Sequence, residues 1–347
     1  MFAYSVEILS DPVDYLTEEN YRPPWLEDNV TELTLRGVEA NKKKLIQIGV
    51  ELSKAERYYL VGSGGSYSVQ FPFKYVAEKW TDIPVHSFSG WEFLESRPVI
   101  IDEQSACIFI SQSGETKEIV EALKWVSDKG SITFGLSQKE GSEILKLSDH
   151  GFAWKGRSVT LGKLSSLYYI FGSIFREKGY PIGEQMIQIA DELPTILPSM
   201  IPEAKKGAKK LGLELKDCHE MYVLGGGVNW GLTYQFALCT LMEMCWVHAT
   251  AVKYSEFRHG ALELFTEGEV AVFLRGRSSM RDLEDKILEF AKGNGVKCIV
   301  YDSQGLEVDN LMTPFTLFME LEWLSYYLSL AKNRRMGHWR FYDKVKF

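Results

Sequence analysis

Tyr58-Tyr59-Leu60-Val61-Gly62-Ser63-Gly64-Gly65-Ser66-Tyr67 is the stretch on which the fold turns. Its apolar run shows no alternation, the pattern of a strand buried on both faces of a parallel sheet. The run stops at a glycine turn that opens a helix. The same plan returns at Tyr222-Val223-Leu224-Gly225-Gly226. Two further landmarks repeat with it: residues 107–110 match 270–273, and the glycine-led run after Gly130 matches the one after Gly295. All three recur at an offset of 163 to 165 residues, which predicts a duplicated unit.

Each unit reads as strand, glycine turn, helix, strand, helix, strand, with amphipathic periodicity over 115–129 and 281–292. The expected fold is therefore α/β: two doubly wound parallel-sheet units in tandem, each with three layers, α/β/α. The repeated cores span 50–155 and 215–305. Residues 1–49 form an N-terminal segment, with a leading helix expected over 28–53. Residues 50–200 form the first domain, and 201–347 the second with a C-terminal tail. Between the cores, 161–197 reads as helix, a Gly179-Tyr180-Pro181 break, then helix again. No low-complexity segment or flexible linker separates the units, so close packing is expected.

The 347 residues are 45% hydrophobic and 25% charged, which excludes wholesale disorder. A net charge of −8 lacks the footprint of a nucleic-acid binder. The basic run Lys42-Lys43-Lys44 reads as a solvated helix face. No stretch reaches the ~18 apolar residues of a membrane span, because residues 317–330 are interrupted by Glu320 and Glu322. The beginning Met1-Phe2-Ala3-Tyr4 does not resemble a signal peptide. The five cysteines are odd in number and lack CxxC spacing, as expected of free thiols in a reducing cytoplasm.

The chemistry is concentrated in two loops. The first glycine turn offers backbone N–H groups with Ser63 and Ser66. Tyr67 breaks the dinucleotide fingerprint, Trp230 breaks it in the second unit, and neither turn has the Gly-Lys-Ser/Thr of a P-loop. The second loop, Ser111-Gln112-Ser113-Gly114-Glu115-Thr116, sets hydroxyls and an amide at a helix start. Neighbouring parallel strands bring both loops to one sheet edge, the usual ligand crevice. Gly64, Gly65, Ser66, Ser111, Gln112, Ser113 and Thr116 thus outline an oxyanion cradle suited to a sugar phosphate. The corresponding loop, Arg275-Gly276-Arg277-Ser278-Ser279, lacks the pattern, so one such site per chain is expected.

The pair Ser-Gly-Gly-Ser-Tyr and Ser-Gln-Ser-Gly-Glu-Thr resembles the sugar isomerase (SIS) domain family. The tandem arrangement is similar to the isomerase half of glucosamine-6-phosphate synthase. Phe2 stands where its amidotransferase half would begin with a nucleophilic cysteine, so that half is not expected. The resemblance is closer to the fructosamine-6-phosphate deglycases of the fructoselysine 6-phosphate type. It is carried by Ser89-Gly90-Trp91-Glu92-Phe93, Leu241-Met242-Glu243, Trp246-Val247-His248, Ser255-Glu256-Phe257-Arg258-His259-Gly260, residues 322–328 and the ending Lys344-Val345-Lys346-Phe347.

Glu243 is the one acid in the apolar segment 236–247, costly there unless paired or functional. The resemblance implies that Glu243 and His259, sixteen residues on, act as an acid–base pair. Glu256 would fix the loop or bind sugar hydroxyls. Glu256 and His259 form Glu-x-x-His, but a di-metal site needs a second copy, so no metal and no cofactor are called for. Where the synthase carries a lysine three positions before its glutamate, this chain has Thr240, which weakens Schiff-base chemistry there; Lys344 is the candidate substitute. His248 reads as a core histidine. Lys253, six residues before His259, would border the amine half of a substrate.

The resemblance implies a deglycase that converts a fructose–amino acid 6-phosphate to glucose 6-phosphate and amino acid. The alternatives are an aldose–ketose isomerase or amino-sugar-phosphate deaminase, and a non-catalytic sugar-phosphate sensor. No nucleic-acid or membrane partner is expected. A homodimer or higher homo-oligomer is, with the aromatic segments 167–175 and 323–328 as covering surfaces and the histidine loop completing a neighbour's site.

Overall fold

The computed structural model describes residues 15–341 and Val345. Its first sheet has the order β2-β1-β3-β4-β5, from Arg57–Gly62 (β1), Val85–Phe88 (β2), Ser105–Ile110 (β3), Ile132–Ser137 (β4) and His150–Ala153 (β5). The second has the order β7-β6-β8-β9, from Glu220–Gly225 (β6), His248–Lys253 (β7), Val270–Arg275 (β8) and Lys297–Asp302 (β9). Every pairing in both is parallel. The first four strands of one sheet correspond in order to the four of the other, as the sequence repeat predicts.

Alternation along β1 shows how the layers form. Tyr58 and Leu60 enter the central core, while Tyr59 and Val61 enter a separate cluster on the outer face. That outer face is covered by the helix Lys117–Ser127, whose buried residues Ile119, Ala122, Leu123 and Val126 make one stripe. In the second unit Tyr222, Leu224 and Phe273 meet Ile287 and Leu288 of the helix Arg281–Gly293 in the same way. The central core is shared. It runs from the first sheet through the helices Val159–Glu177, Ile182–Glu214 and Thr313–Ala331 to Val223 and Val272 of the second.

Three expectations need correction. The leading segment 28–53 is two helices, Val30–Glu39 and Lys42–Leu52; Asn41 ends the first by donating its side-chain amide to the Gly37 carbonyl (2.8 Å). The helix expected to stop at Leu197 continues to Glu214, across position 200, and contains Pro194, Pro198 and Pro202. Their four-residue spacing stacks the missing N–H groups on one side, and packing against the C-terminal helix outweighs the local cost. The aromatic segments 167–175 and 323–328 are buried in the chain's own core, so they present no surface to a partner. Lys43 and Lys44 are exposed, as a solvated face requires, while Lys42 pairs with Asp191 (2.6 Å).

No helix among the described residues is long and apolar enough to cross a membrane. All five cysteines are free thiols.

Candidate functional site

The cradle lies where β1 and β3 end. Their register pairs Gly62 with Ile110, so Ser63 and Ser111 leave the sheet side by side. The first turn depends on Gly64, whose φ of +55° and ψ of −123° is backbone that L side chains rarely adopt. Gly65 faces open space. Ser66 is buried, and its Oγ accepts a hydrogen bond from Lys163 Nζ at 2.8 Å. Ser63 Oγ donates to Glu118 of the neighbouring helix (2.7 Å).

The second loop is wired through Ser111. Its Oγ lies 2.8 Å from Thr116 Oγ1 and accepts from the Gly114 N–H at 3.0 Å. Gly114 (φ +67°) is pressed against Ser142 and Ser137, leaving no room for a Cβ. Ser113 is exposed, and its Oγ accepts from the Glu115 N–H (3.1 Å). Gln112 is also exposed and donates to Gln138 Oε1 (3.2 Å). Thr116 is the N-cap of Lys117–Ser127 but makes no side-chain cap; the Ile119 N–H donates to the Thr116 carbonyl (3.0 Å), which leaves the N–H groups of Lys117 and Glu118 facing the loop. Among the described residues the nearby Lys139 is paired with Glu115 (3.0 Å).

Glu243 reaches this region through an unusual helix. After Trp230–Gln235 the chain widens into a π-helix, Phe236–Met242, carried past its end by the i→i−5 bond from the Glu243 N–H to the Leu238 carbonyl. Cys239 on this helix lies against the first turn: a Cβ on Gly64 would sit 3.7 Å from its Sγ. Glu243 follows four residues later, half-buried, and its Oε1 accepts from Trp339 Nε1 at 2.8 Å. Burial raises the Glu243 carboxyl above its ordinary value, and the Trp339 bond partly offsets this. Burial also pushes the Cys239 thiol up to about 12 and the Lys163 amine down to about 8.

Gly64, Gly65, Ser66, Ser111, Gln112, Ser113 and Thr116 therefore share one sheet edge, and Glu243 approaches it from the second unit. His259 and Glu256 do not join them within the chain. Both are exposed on the 3-10 segment Tyr254–His259 after β7, and among the described residues no hydrogen bond or ion pair links Glu243 to His259. Lys253 ends β7 with its amine 4.9 Å from the Trp230 ring centroid, in a groove of about 420 Å³ that it shares with Glu256. Lys344 lies outside the described residues. His248 is not in the core; it is exposed on the edge strand and lies 3.2 Å from Glu220.

The equivalent edge of the second sheet is filled by the protein's own charges. Buried Arg275 pairs with Glu284 (3.4 Å), Asp302 (3.1 Å) and Asp285, and Arg281 adds a second bridge to Asp302 (2.8 Å). This provides a physical reason for a single cradle. Sequence reasoning overlooked Lys163 and Trp339. The signal for Lys163 was present: it is the one charge in the apolar run 161–175, as Glu243 is in 236–247.

A parallel α/β sheet carries a hydroxyl-lined loop pair at its edge, and residues 51–168, within the first unit, match the model of the SIS domain family. It is similar to the fructoselysine 6-phosphate deglycase of Escherichia coli K12, 27% identical over 293 residues covering 83% of this chain and 85% of the relative. It is also similar to the fructosamine deglycase FrlB of Bacillus subtilis, 26% identical over 304 residues covering 84% and 93%. Among solved structures it resembles a Bacillus subtilis protein provisionally named a phosphosugar isomerase, with a TM-score of 0.81, 26% identity and coverage of 92% and 99%.

Proposed function

We propose that this protein is a phosphosugar-processing enzyme, and specifically a deglycase that splits a fructose–amino acid 6-phosphate into glucose 6-phosphate and the free amino acid. One observation carries the reading. A half-buried carboxylate, Glu243, is delivered by a π-helix packed on the glycine turn of a hydroxyl-lined cradle. The similarity to deglycases supports the same choice.

In this reading the unit of residues 50–200 holds the phosphate through Gly64, Gly65, Ser66, Ser111, Gln112, Ser113 and Thr116. The unit of residues 201–347 supplies the proton chemistry. In the open-chain ketoamine, C1 lies between the amine nitrogen and the C2 carbonyl, which acidifies its hydrogens. Glu243 accepts a C1 proton, giving the 1,2-enaminol. Protonation at C2 gives the imine at C1, water adds to that carbon, and the C–N bond breaks as the nitrogen takes a proton. The products are aldose 6-phosphate and amine. A base raised by burial binds a proton more readily than a surface carboxylate.

His259 assists ring opening or protonates the departing amine. Because it is exposed and apart from Glu243 in its own chain, we assign it to the site of a second copy, which makes the working enzyme a homodimer or higher homo-oligomer, and we place that enzyme in the cytoplasm. Glu256 and Lys253 then border the amine half of the substrate.

The test is incubation with a panel of fructose–amino acid 6-phosphates, together with fructose 6-phosphate and glucosamine 6-phosphate. Release of glucose 6-phosphate and free amine from the conjugates is expected. Turnover of only the other two sugars would replace the deglycase by an isomerase or deaminase on the same loops.

A further inference from the structure

Lys163 stands one turn into the helix Val159–Glu177 and is 4% exposed. An ammonium group so deeply buried is costly without a counter-ion. Among the described residues no carboxylate pairs with it, and its hydrogen bond goes to the neutral hydroxyl of Ser66 in the cradle's first turn. Of the surrounding elements, the helix Lys117–Ser127 brings the Glu118 carboxylate to Ser63 of the same turn (2.7 Å), and no hydrogen bond or ion pair among the described residues joins it to Lys163. The π-helix presents Cys239, held as a neutral thiol by burial, and Glu243 beyond it is engaged by Trp339. Trp230–Gln235 presents the phenol Tyr234. The helices packed along the rest of Val159–Glu177 carry charges that satisfy one another: Lys42 with Asp191, and Arg36 with Glu32 and Glu39.

The cradle has the complementary imbalance. It gathers hydroxyls and N–H groups for an anion; of the lysines around it, Lys139 is paired with Glu115 and the exposed Lys117 lies over the Trp91 ring, 5.9 Å from its centroid. An anion seated on Ser66 would be one hydrogen bond from the buried amine.

We propose that Lys163 is the buried counter-charge of the cradle: a positioning residue that acts through Ser66 and takes up a proton as a phosphate dianion binds. The inference rests on the sugar-phosphate reading of the site and deepens it. Burial, which pushes the amine down to about 8, makes the coupling visible at mildly alkaline pH, where phosphate is already a dianion. Anion binding favours the charged amine, so protons are absorbed on binding and affinity falls as pH rises.

The experiment is calorimetric titration of glucose 6-phosphate, with glucose as the uncharged control, in pairs of buffers with contrasting ionisation enthalpy. Wild-type protein should absorb about one proton per site near pH 9 and nearly none at pH 7, and its Kd should rise about tenfold per pH unit above 8. Lys163→Gln should bind more weakly at pH 7.5, with a Kd flat to pH 9.5. Lys163→Arg, charged throughout, should bind without proton uptake. Circular dichroism melts establish that both variants fold, and the wild-type proton count stands even if one does not. Binding without proton uptake at pH 9, or an unchanged pH profile in Lys163→Gln, overturns the role of Lys163 while leaving the cradle intact. No binding of glucose 6-phosphate at any pH overturns the sugar-phosphate reading itself.

Discussion

Replacing Glu243 with glutamine separates the catalytic reading from a structural one. The side-chain amide retains an oxygen for Trp339 Nε1, so the 2.8 Å bond and the local packing survive. Only proton acceptance is lost. Losing a general base costs roughly 10²–10⁴-fold in rate, or about 2.7–5.5 kcal/mol of barrier. Because no rearrangement accompanies the change, the loss should fall on kcat, with sugar-phosphate affinity close to wild type. Stability should move the other way. Burial holds the folded Glu243 above its ordinary range, so its stabilising contribution is complete below the unfolded value and declines as pH rises through the folded one. Glutamine suffers no such decline. Glu243→Gln and wild type should therefore melt together near pH 4, and the variant should be the more stable at pH 8. Steady-state release of glucose 6-phosphate, a binding titration and melts at the two pH values read all three quantities on one preparation. Near-wild-type turnover, or a variant less stable at pH 8, would refute the argument and make Glu243 a structural acid.

Ser113→Ala and Thr116→Ala should each weaken glucose 6-phosphate binding about 10- to 100-fold with the fold intact, the effect of one lost charge-assisted hydrogen bond; titration of the two variants checks this. Trp339→Phe removes a donor that favours ionised Glu243, so the acid limb of the kcat/KM profile should move to higher pH; an unmoved limb would separate Trp339 from the base. Arg275→Leu strands the buried Glu284 and should cost about 3–5 kcal/mol in urea unfolding, reduced by whatever Arg281 recovers at 3.7 Å, while sugar-phosphate affinity stays constant.

The sheets and the shared edge of the two loops are legible because they depend on local signals. Unbroken apolar runs such as Tyr58–Val61 and glycines such as Gly64 mark strand and turn with little help from tertiary context. The helix through Pro194, Pro198 and Pro202 was misread because long-range packing decides it. Aromatic composition at 167–175 indicated burial but not whether the cover came from this chain or another. The π-helix before Glu243 was unreadable for a related reason: a shift to i→i−5 bonding leaves the residue pattern unchanged and alters only which side chains share a face. Glu243 and Lys163 carry the same mark in the sequence, a solitary charge in an apolar segment, and the segment alone does not say what each of them faces.

The charges around Arg275 have a consequence for how the two halves respond to metabolite. The second sheet edge carries permanent internal counter-ions, so it is complete whether or not the cell contains the sugar. The first edge holds the buried Lys163 amine beside Ser66 with no carboxylate paired to it among the described residues, so in the proposed reading its ordering depends on the bound anion. At a hundredfold excess over Kd, ligand adds about 2.7 kcal/mol to whatever must open for it to leave. That increment should fall on the loops after β1 and β3, slowing amide exchange there and leaving the loop after β8 unchanged. In the proposed reading one copy of the duplicated unit is a fixed frame and the other is the half whose rigidity follows supply.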